Sequence, residues 1–326
     1  MLKRGIAIVL VMVLGCGLFT LYGWGGFKFS RDEDLMLQFY SEPENSLDGV
    51  LVGSSAAYRY WVPTEAFSKS GMAVYVYGTQ GMPILAVDNI IEDIRKTQDP
   101  EFIIIEIRPM IREPQTYRTR NIRRLVNYMK PSYERLRIIA ESMLMDIKYD
   151  TEISKNPLEY RFPEDRGLEE FTRKNVKKWG ELKGFRSYQA DVSEACTKPD
   201  FTTERGEPTE DQVKQTKDLL EYCDTLDCDV LFVATPYVIS EEKQKITNTI
   251  IDIINEAGYD VIDMNNDEAI EEMGLDYSTD FIDDKHTIYQ GAIKVTDYLT
   301  KILKERYDIE DHRGDELYSS WEVSAE

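Results

Sequence analysis

The chain has 326 residues, 42% hydrophobic and 30% charged, enough for one large α/β domain or two small ones. Its net charge of −21 repels nucleic-acid phosphate and anionic lipid over most of the surface, which argues against DNA or RNA as a partner. With only two histidines, any imidazole chemistry must use His286 or His312.

Lys3 and Arg4 precede an uncharged apolar run from Gly5 to Gly23. As a helix it would be roughly 28 Å long at ~1.5 Å per residue, close to the hydrocarbon core of a bilayer. Trp24 beyond it and the basic residues before it predict residues 1–4 in the cytoplasm, 5–23 as a single-pass anchor in the cell membrane, and an extracytoplasmic remainder. Val13-Leu14-Gly15-Cys16 faintly resembles a lipobox, so a cleaved signal with lipidated Cys16 is the alternative. The run continues through Leu18, Phe19 and Leu21, as a spanning helix would. Residues 24–45 read as a polar juxtamembrane linker, and hydropathy leaves no second span.

The α/β domain is expected over 46–307. Val50-Leu51-Val52, ending at Gly53, fits a fully buried strand, and Ala73 to Tyr77, ending at Gly78, fits a second. Pro83 opens a helix with Ile84, Val87, Ile90, Ile91 and Ile94 on one face. Phe102 to Ile105 is the third strand and Asp229 to Ala234 the fourth, preceded by a helix with the capping box Thr209-x-x-Gln212. Ser240 caps the next helix, with Ile246, Ile250, Ile253 and Ala257 inside and Gly258 as its stop. Tyr259 to Ile262 is the fifth strand, and Tyr289 to Tyr307 closes the domain. This alternation predicts a parallel sheet covered on both faces, with chemistry at the carboxyl ends of its strands. Residues 110–207 break the alternation as a largely helical insertion, a candidate cap. The tail, 308–326, is acidic and reads as disordered, with His312 inert in it.

Two segments carry the candidate chemistry. Gly53-Ser54-Ser55 follows the first strand, which presents a serine at the sheet's edge; taken alone, this is also a common turn. Asp283-Asp284-Lys285-His286 precedes the last helix, followed by Gly291. Asp and His at this spacing can sit on one turn, the carboxylate fixing the imidazole while its other nitrogen faces the serine.

Together these residues resemble the SGNH/GDSL hydrolases over residues 48–306, outside the insertion. The resemblance implies a flavodoxin-like three-layer α/β/α fold with about five parallel strands and a Ser55, His286, Asp283 triad that needs no metal and no cofactor. Gly53-Ser54-Ser55 stands where the family has Gly-Asp-Ser. Gly78-Thr79-Gln80-Gly81 resembles the block whose glycine N–H lines the oxyanion hole, so the hole is expected from Ser55 and Gly81, with Gly78 the alternative glycine. The family's Gly-x-Asn-Asp after the third strand is missing. The chain has Glu106-Ile107-Arg108-Pro109 there, which leaves Arg108 as the nearest donor. The same departure resembles anchored DltD-like and AlgX-like O-acylation proteins. That likeness implies an esterase or O-acyltransferase acting on a cell-surface glycan or teichoic-acid-like anionic polymer, with a membrane-bound O-acyltransferase as a partner. The alternative is a weak or inactive scaffold that binds glycan or recruits such a partner.

Eight arginines (Arg108, Arg112, Arg118, Arg120, Arg123, Arg124, Arg135 and Arg137) crowd the start of the insertion. Their forks suit phosphate or carboxylate. Arg112, Arg120 and Arg123 are the substrate-binding candidates, against the blander reading of a solvated helix face. Tyr117, Tyr128, Tyr133, Tyr160 and Trp179 could stack on sugars or simply fill a core. Cys196, Cys223 and Cys228 fit no zinc spacing and read as free thiols or one disulfide. Asp263-x-Asn265-x-Asp267 starts like a calcium loop but has Glu268 at its sixth position and Gly274 at its twelfth. No strand is followed by a nucleotide-binding glycine pattern.

Overall fold

The computed structural model describes residues 38–126, 129–149, 182–186 and 195–322. The expected cytoplasmic residues, the anchor over 5–23 and most of the linker lie outside them. Among the described residues, no helix is long and apolar enough to cross a membrane.

The first strand, β1 (Gly49–Gly53), is buried at every position, as expected of Val-Leu-Val inside a sheet covered on both faces. It leads into the short helix α1 (Ser55–Tyr58), then α2 (Pro63–Ser70) and β2 (Val74–Gly78). Pro83 does not start an α-helix directly. It caps one 3-10 turn, Ile84–Ala86, which becomes α3 (Val87–Ile94). Then come β3 (Phe102–Glu106) and α4 (Arg108–Ile111). The insertion supplies α5 (Thr119–Val126) and α6 (Tyr133–Tyr149). The alternation resumes with α7 (Glu210–Cys223), β4 (Asp229–Ala234), α8 (Glu241–Glu256), β5 (Asp260–Asp263) and α9 (Asp267–Met273). A small ribbon, β6 (Phe281–Asp283) and β7 (His286–Thr287), precedes the closing helix α10 (Tyr289–Arg306). The predicted capping box on Thr209 and Gln212 is present, and Ser240 caps α8.

The five long strands form one parallel sheet in the order β2-β1-β3-β4-β5. One face packs Val50, Val52, Ile103, Ile105 and Phe232 against α3, α7 and α8. The other packs Leu51, Val76, Ile104 and Val233 against α1, α9 and α10. The result is a three-layer α/β/α sandwich. Because β2 and β3 flank β1, the connections leave β1 and β3 in opposite directions, and their carboxyl ends border a crevice. The register sets Gly53 beside Gly78 and Glu106 beside Val233, so these ends lie level.

Two expectations about the termini are corrected. The fold begins inside the expected linker, since Phe39 is fully buried against Tyr75 and Tyr77. The tail is not loose: residues 308–322 pack on the domain, with Trp321 and Tyr318 buried beside Phe67. His312 stacks on Tyr318 and its Nε2 lies 2.9 Å from Asp48 Oδ1. The acidic composition concealed two large aromatic anchors, whose burial outweighs the charge around them.

Candidate active site

β1 delivers the nucleophile candidate. Ser54 is the cap of α1 and Ser55 its first residue, a position whose N–H has no acceptor within the helix. The Ser54 hydroxyl donates to Glu106 Oε2 at 2.7 Å, and its backbone N–H reaches the same oxygen at 3.2 Å. The other carboxylate oxygen accepts the Arg108 N–H at 2.7 Å. Glu106, at the end of β3, therefore ties the loop after β1 to the loop after β3. Burial pushes its carboxyl above the usual range, opposed by the Arg108 charge and by the Ser54 and Arg108 hydrogen bonds.

The β6–β7 ribbon delivers the other two residues. Asp283 and His286 face each other across it, with Asp284 and Lys285 as the turn. The Lys285 N–H donates to Asp283 Oδ1 at 2.8 Å and closes that turn locally. His286 Nδ1 lies 2.9 and 3.0 Å from the two oxygens of Asp283, and its Nε2 lies 2.9 Å from Ser55 Oγ. A neutral imidazole protonated on Nδ1 satisfies both contacts, donating to Asp283 and accepting from Ser55. Burial holds the His286 pKa below its ordinary value of 6.5; Asp283 pulls it up, while Arg108 and Arg59 push it down. For Asp283 burial raises the pKa, yet the hydrogen bond and charge of His286 and the N–H groups of Lys285 and His286 bring the net value below normal.

Arg108 connects the same parts and also borders the cleft that Ser55 and His286 line. Its Nη1 donates to Lys285 O at 3.0 Å, and its Nη2 to Pro236 O at 3.1 Å and Tyr60 Oη at 3.3 Å. The guanidinium lies over the Tyr237 ring at 4.1 Å, with Nε 4.0 Å from Glu106. Tyr60 Oη itself donates to Lys285 O at 2.6 Å. The carbonyl next to His286 is thus held by two donors.

Gly81 borders the same cleft as Ser55 and His286, whereas Gly78 is paired with Gly53 inside the sheet. The Gly81 φ is +65°, and a Cβ there would fall 1.8 Å from Asn121 Nδ2. Asn121, on α5, donates to Gln80 O at 3.2 Å and Gly81 O at 3.0 Å, and Arg124 bonds Gln80 Oε1. The insertion therefore holds the glycine loop in place. The cleft, about 800 Å³, runs from Ser55 and His286 past Arg112, Arg118 and Asn121 to Gln212 and Lys243.

The arginine candidates separate. Arg112 borders the cleft, donating to Thr116 Oγ1 at 2.9 Å and Thr116 O at 2.6 Å and lying over the Tyr117 ring. Arg123 does not border it, and the side chain of Arg120 lies outside those described. Arg118, not among the three candidates, does border it. Tyr117 is a core residue, bonded to Ile84 N and Pro109 O. Tyr133 stands on the outer surface of α6, and Tyr128, Tyr160 and Trp179 lie outside the described residues. Cys223 and Cys228 are free thiols; burial pushes Cys223 up to about 12. Among the described residues, no group of three His, Cys, Asp or Glu side chains is placed to hold a metal.

Glu106, Tyr60, Tyr237 and Asn121 are absent from the sequence-based candidates. One signal was available for Glu106: an acid ending the run Phe-Ile-Ile-Ile-Glu of a buried strand must find partners. Nothing in the spacing of the other three points to the site. No protein-family model matches the chain, and no curated protein matches it significantly.

Proposed function

We propose that the chain is an extracytoplasmic serine esterase or O-acyltransferase of the SGNH/GDSL type, acting on acyl esters, acetyl foremost, of a cell-surface polysaccharide or teichoic-acid-like polymer. One observation carries this reading: Ser55 Oγ, His286 Nε2, His286 Nδ1 and the Asp283 carboxylate form an unbroken hydrogen-bonded series at 2.9–3.0 Å. The proteins it resembles supply the substrate class and the setting.

In the reaction, Ser55 Oγ attacks the ester carbonyl carbon as its proton passes to His286 Nε2. Asp283 keeps the imidazole in the Nδ1–H tautomer and stabilises the imidazolium. The N–H groups of Ser55 and Gly81 receive the oxyanion. His286 then protonates the departing alcohol and leaves an acyl-serine. In the second half, His286 deprotonates water, or a glycan hydroxyl in transfer, and that oxygen displaces Ser55. Arg108, with its donors on the carbonyls of Lys285 and Pro236, acts here as a clamp on the histidine loop.

The test is intact-mass analysis of the full chain and its Ser55→Ala variant after mixing with an activated acetyl ester. An acetyl adduct confined to the parent chain supports the reading, and its discharge by added oligosaccharide separates transferase from esterase. If neither protein reacts with acetyl or longer acyl donors, the enzyme reading fails. The fold is then a scaffold that binds glycan or recruits a membrane O-acyltransferase.

A further inference from the structure

Among the described residues, five large hydrophobic side chains are half exposed or more. Four stand on α6: Tyr133 (73%), Leu136 (62%), Leu144 (64%) and Ile147 (70%). With the exposed Ala140 they fall at positions 133, 136, 140, 144 and 147. At 3.6 residues per turn these cover an arc of roughly 80°, a single apolar stripe about 21 Å long. The opposite side of α6 is already used, since Ile138, Ser142 and Met145 are buried toward the domain. An amphipathic helix needs one apolar face to pack, and this one has two. A contiguous outward stripe of this kind marks an interaction surface.

Two observations say what covers it. The first is where the chain enters the fold. Tyr40, almost the first described residue, accepts the Lys130 N–H at 3.3 Å, and Lys130 Nζ lies over its ring at 4.5 Å. Lys96 and Glu134, in the first turn of α6, are paired close by. The start of α6 is therefore beside the point reached from the apolar run 5–23. The intervening residues, 24–37, span at most about 50 Å when fully extended. The second is charge. Residues 118–149 carry eight Lys and Arg against three Asp and Glu, within a chain of net charge −21. That local reversal of sign suits the negative headgroups of a membrane surface.

We propose that the outer face of α6 rests on the membrane that residues 5–23 are expected to span, with its apolar stripe seated among anionic phospholipid headgroups. α6 extends from the neighbourhood of Tyr40 at its start to Lys148, which pairs with Asp211 at 2.7 Å, and the adjacent Gln212 borders the cleft. Docking along α6 holds the mouth of the cleft close to the lipid boundary. The proposal rests on the expected anchor and not on the acyl chemistry, because acylation of Ser55 reads the catalytic site separately.

The test uses the full chain in vesicles of phosphatidylglycerol and phosphatidylcholine. The photo-crosslinking residue p-benzoylphenylalanine replaces Leu136, Leu144 or Ile147 in turn, with Glu256 at the exposed end of α8 as control. After irradiation, adduct masses are read on digested peptides. Lipid adducts at the three stripe positions should exceed those at Glu256 at least fivefold and decline when phosphatidylglycerol is omitted. Yields equal to the control overturn the proposal, as do crosslinks mainly to a second copy of the chain. Equal yields without phosphatidylglycerol overturn the anionic assignment. Failure of the chain to float with the vesicles removes the anchor and the proposal with it.

Discussion

Replacing Arg108 with lysine separates two roles that the site allows. The guanidinium donates to Lys285 O, Pro236 O and Tyr60 Oη and lies over Tyr237. A lysine keeps the charge near Glu106 but lacks the planar fork. It can reach one of the two carbonyls, so one charge-assisted hydrogen bond is lost, about 1.5–3 kcal/mol. Loss of the stacked guanidinium adds about 1 kcal/mol. The expected destabilisation is therefore about 2–4 kcal/mol, a fall in Tm of roughly 5–15 °C for a domain of this size. Urea denaturation should show a lower midpoint with an unchanged slope. Ser55 acylation by an activated ester should slow in parallel, because Lys285 precedes the base. An oxyanion donor behaves differently: its removal slows acylation about 10²–10³-fold without disturbing the fold. If Arg108→Lys keeps its stability to within about 0.5 kcal/mol and still loses that much rate, the clamp assignment is wrong and the oxyanion role stands.

Burial lowers the His286 pKa, and the base must be neutral to act, so acylation should hold constant through neutral pH and fall only below pH 6.5. A limb centred above that value in the rate of p-nitrophenyl acetate turnover would contradict the geometry. Asp283→Asn removes the contribution that raises the imidazole pKa, so its acid limb should move lower still while the rate drops roughly 10²–10⁴-fold. His312→Ala deletes the bond to Asp48 and the stack on Tyr318. Thermal denaturation should register about 1–3 kcal/mol of lost stability, with Ser55 acylation unchanged because Asp48 precedes β1 at the other end of the sheet.

The parts of the molecule legible in sequence were those fixed by short-range patterns. Val50-Leu51-Val52 and Phe102 to Ile105 have the continuous apolarity that only a doubly covered strand tolerates, and Thr209 and Ser240 cap their helices through local hydrogen bonds. Ser55, Asp283 and His286 were legible only together: Gly-Ser-Ser after the first strand and Asp-x-x-His before the last helix each read alone as an ordinary loop, and their joint resemblance to the SGNH/GDSL pattern singled them out. The supports of the site were not. Asn121 reaches Gly81 across 40 residues and Arg108 reaches Lys285 across 177, and no periodicity encodes such contacts. The tail misled for a related reason: its composition is acidic, but Tyr318 and Trp321 bury against a surface assembled from distant segments.

The loop after β1 suggests why serine occupies position 54 here, where the SGNH/GDSL pattern on which the proposed function draws has aspartate. The Ser54 hydroxyl is 2.7 Å from Glu106 Oε2, and Glu106 is fully buried with its carboxyl pKa already raised, chiefly by burial. An aspartate at 54 would set a second carboxylate against the first. At ~4 Å and an effective dielectric near 20 their repulsion is about 4 kcal/mol, enough to force a proton onto one of them. The single variant Ser54→Asp should therefore lose about 2–4 kcal/mol at pH 8. The sign follows from linkage. A carboxyl with a raised folded-state pKa is penalised above that pKa, and the loss is relieved as pH falls toward the unfolded value. Adding Glu106→Gln leaves one carboxylate in the pair and supplies an amide donor to it, so the double variant should recover most of the loss at pH 8. Denaturation of the two single variants and the double variant at pH 8 and pH 5 measures the coupling. Additive losses with no pH dependence would mean that the carboxylate at 106 does not exclude one at 54, and the choice of serine would need another cause.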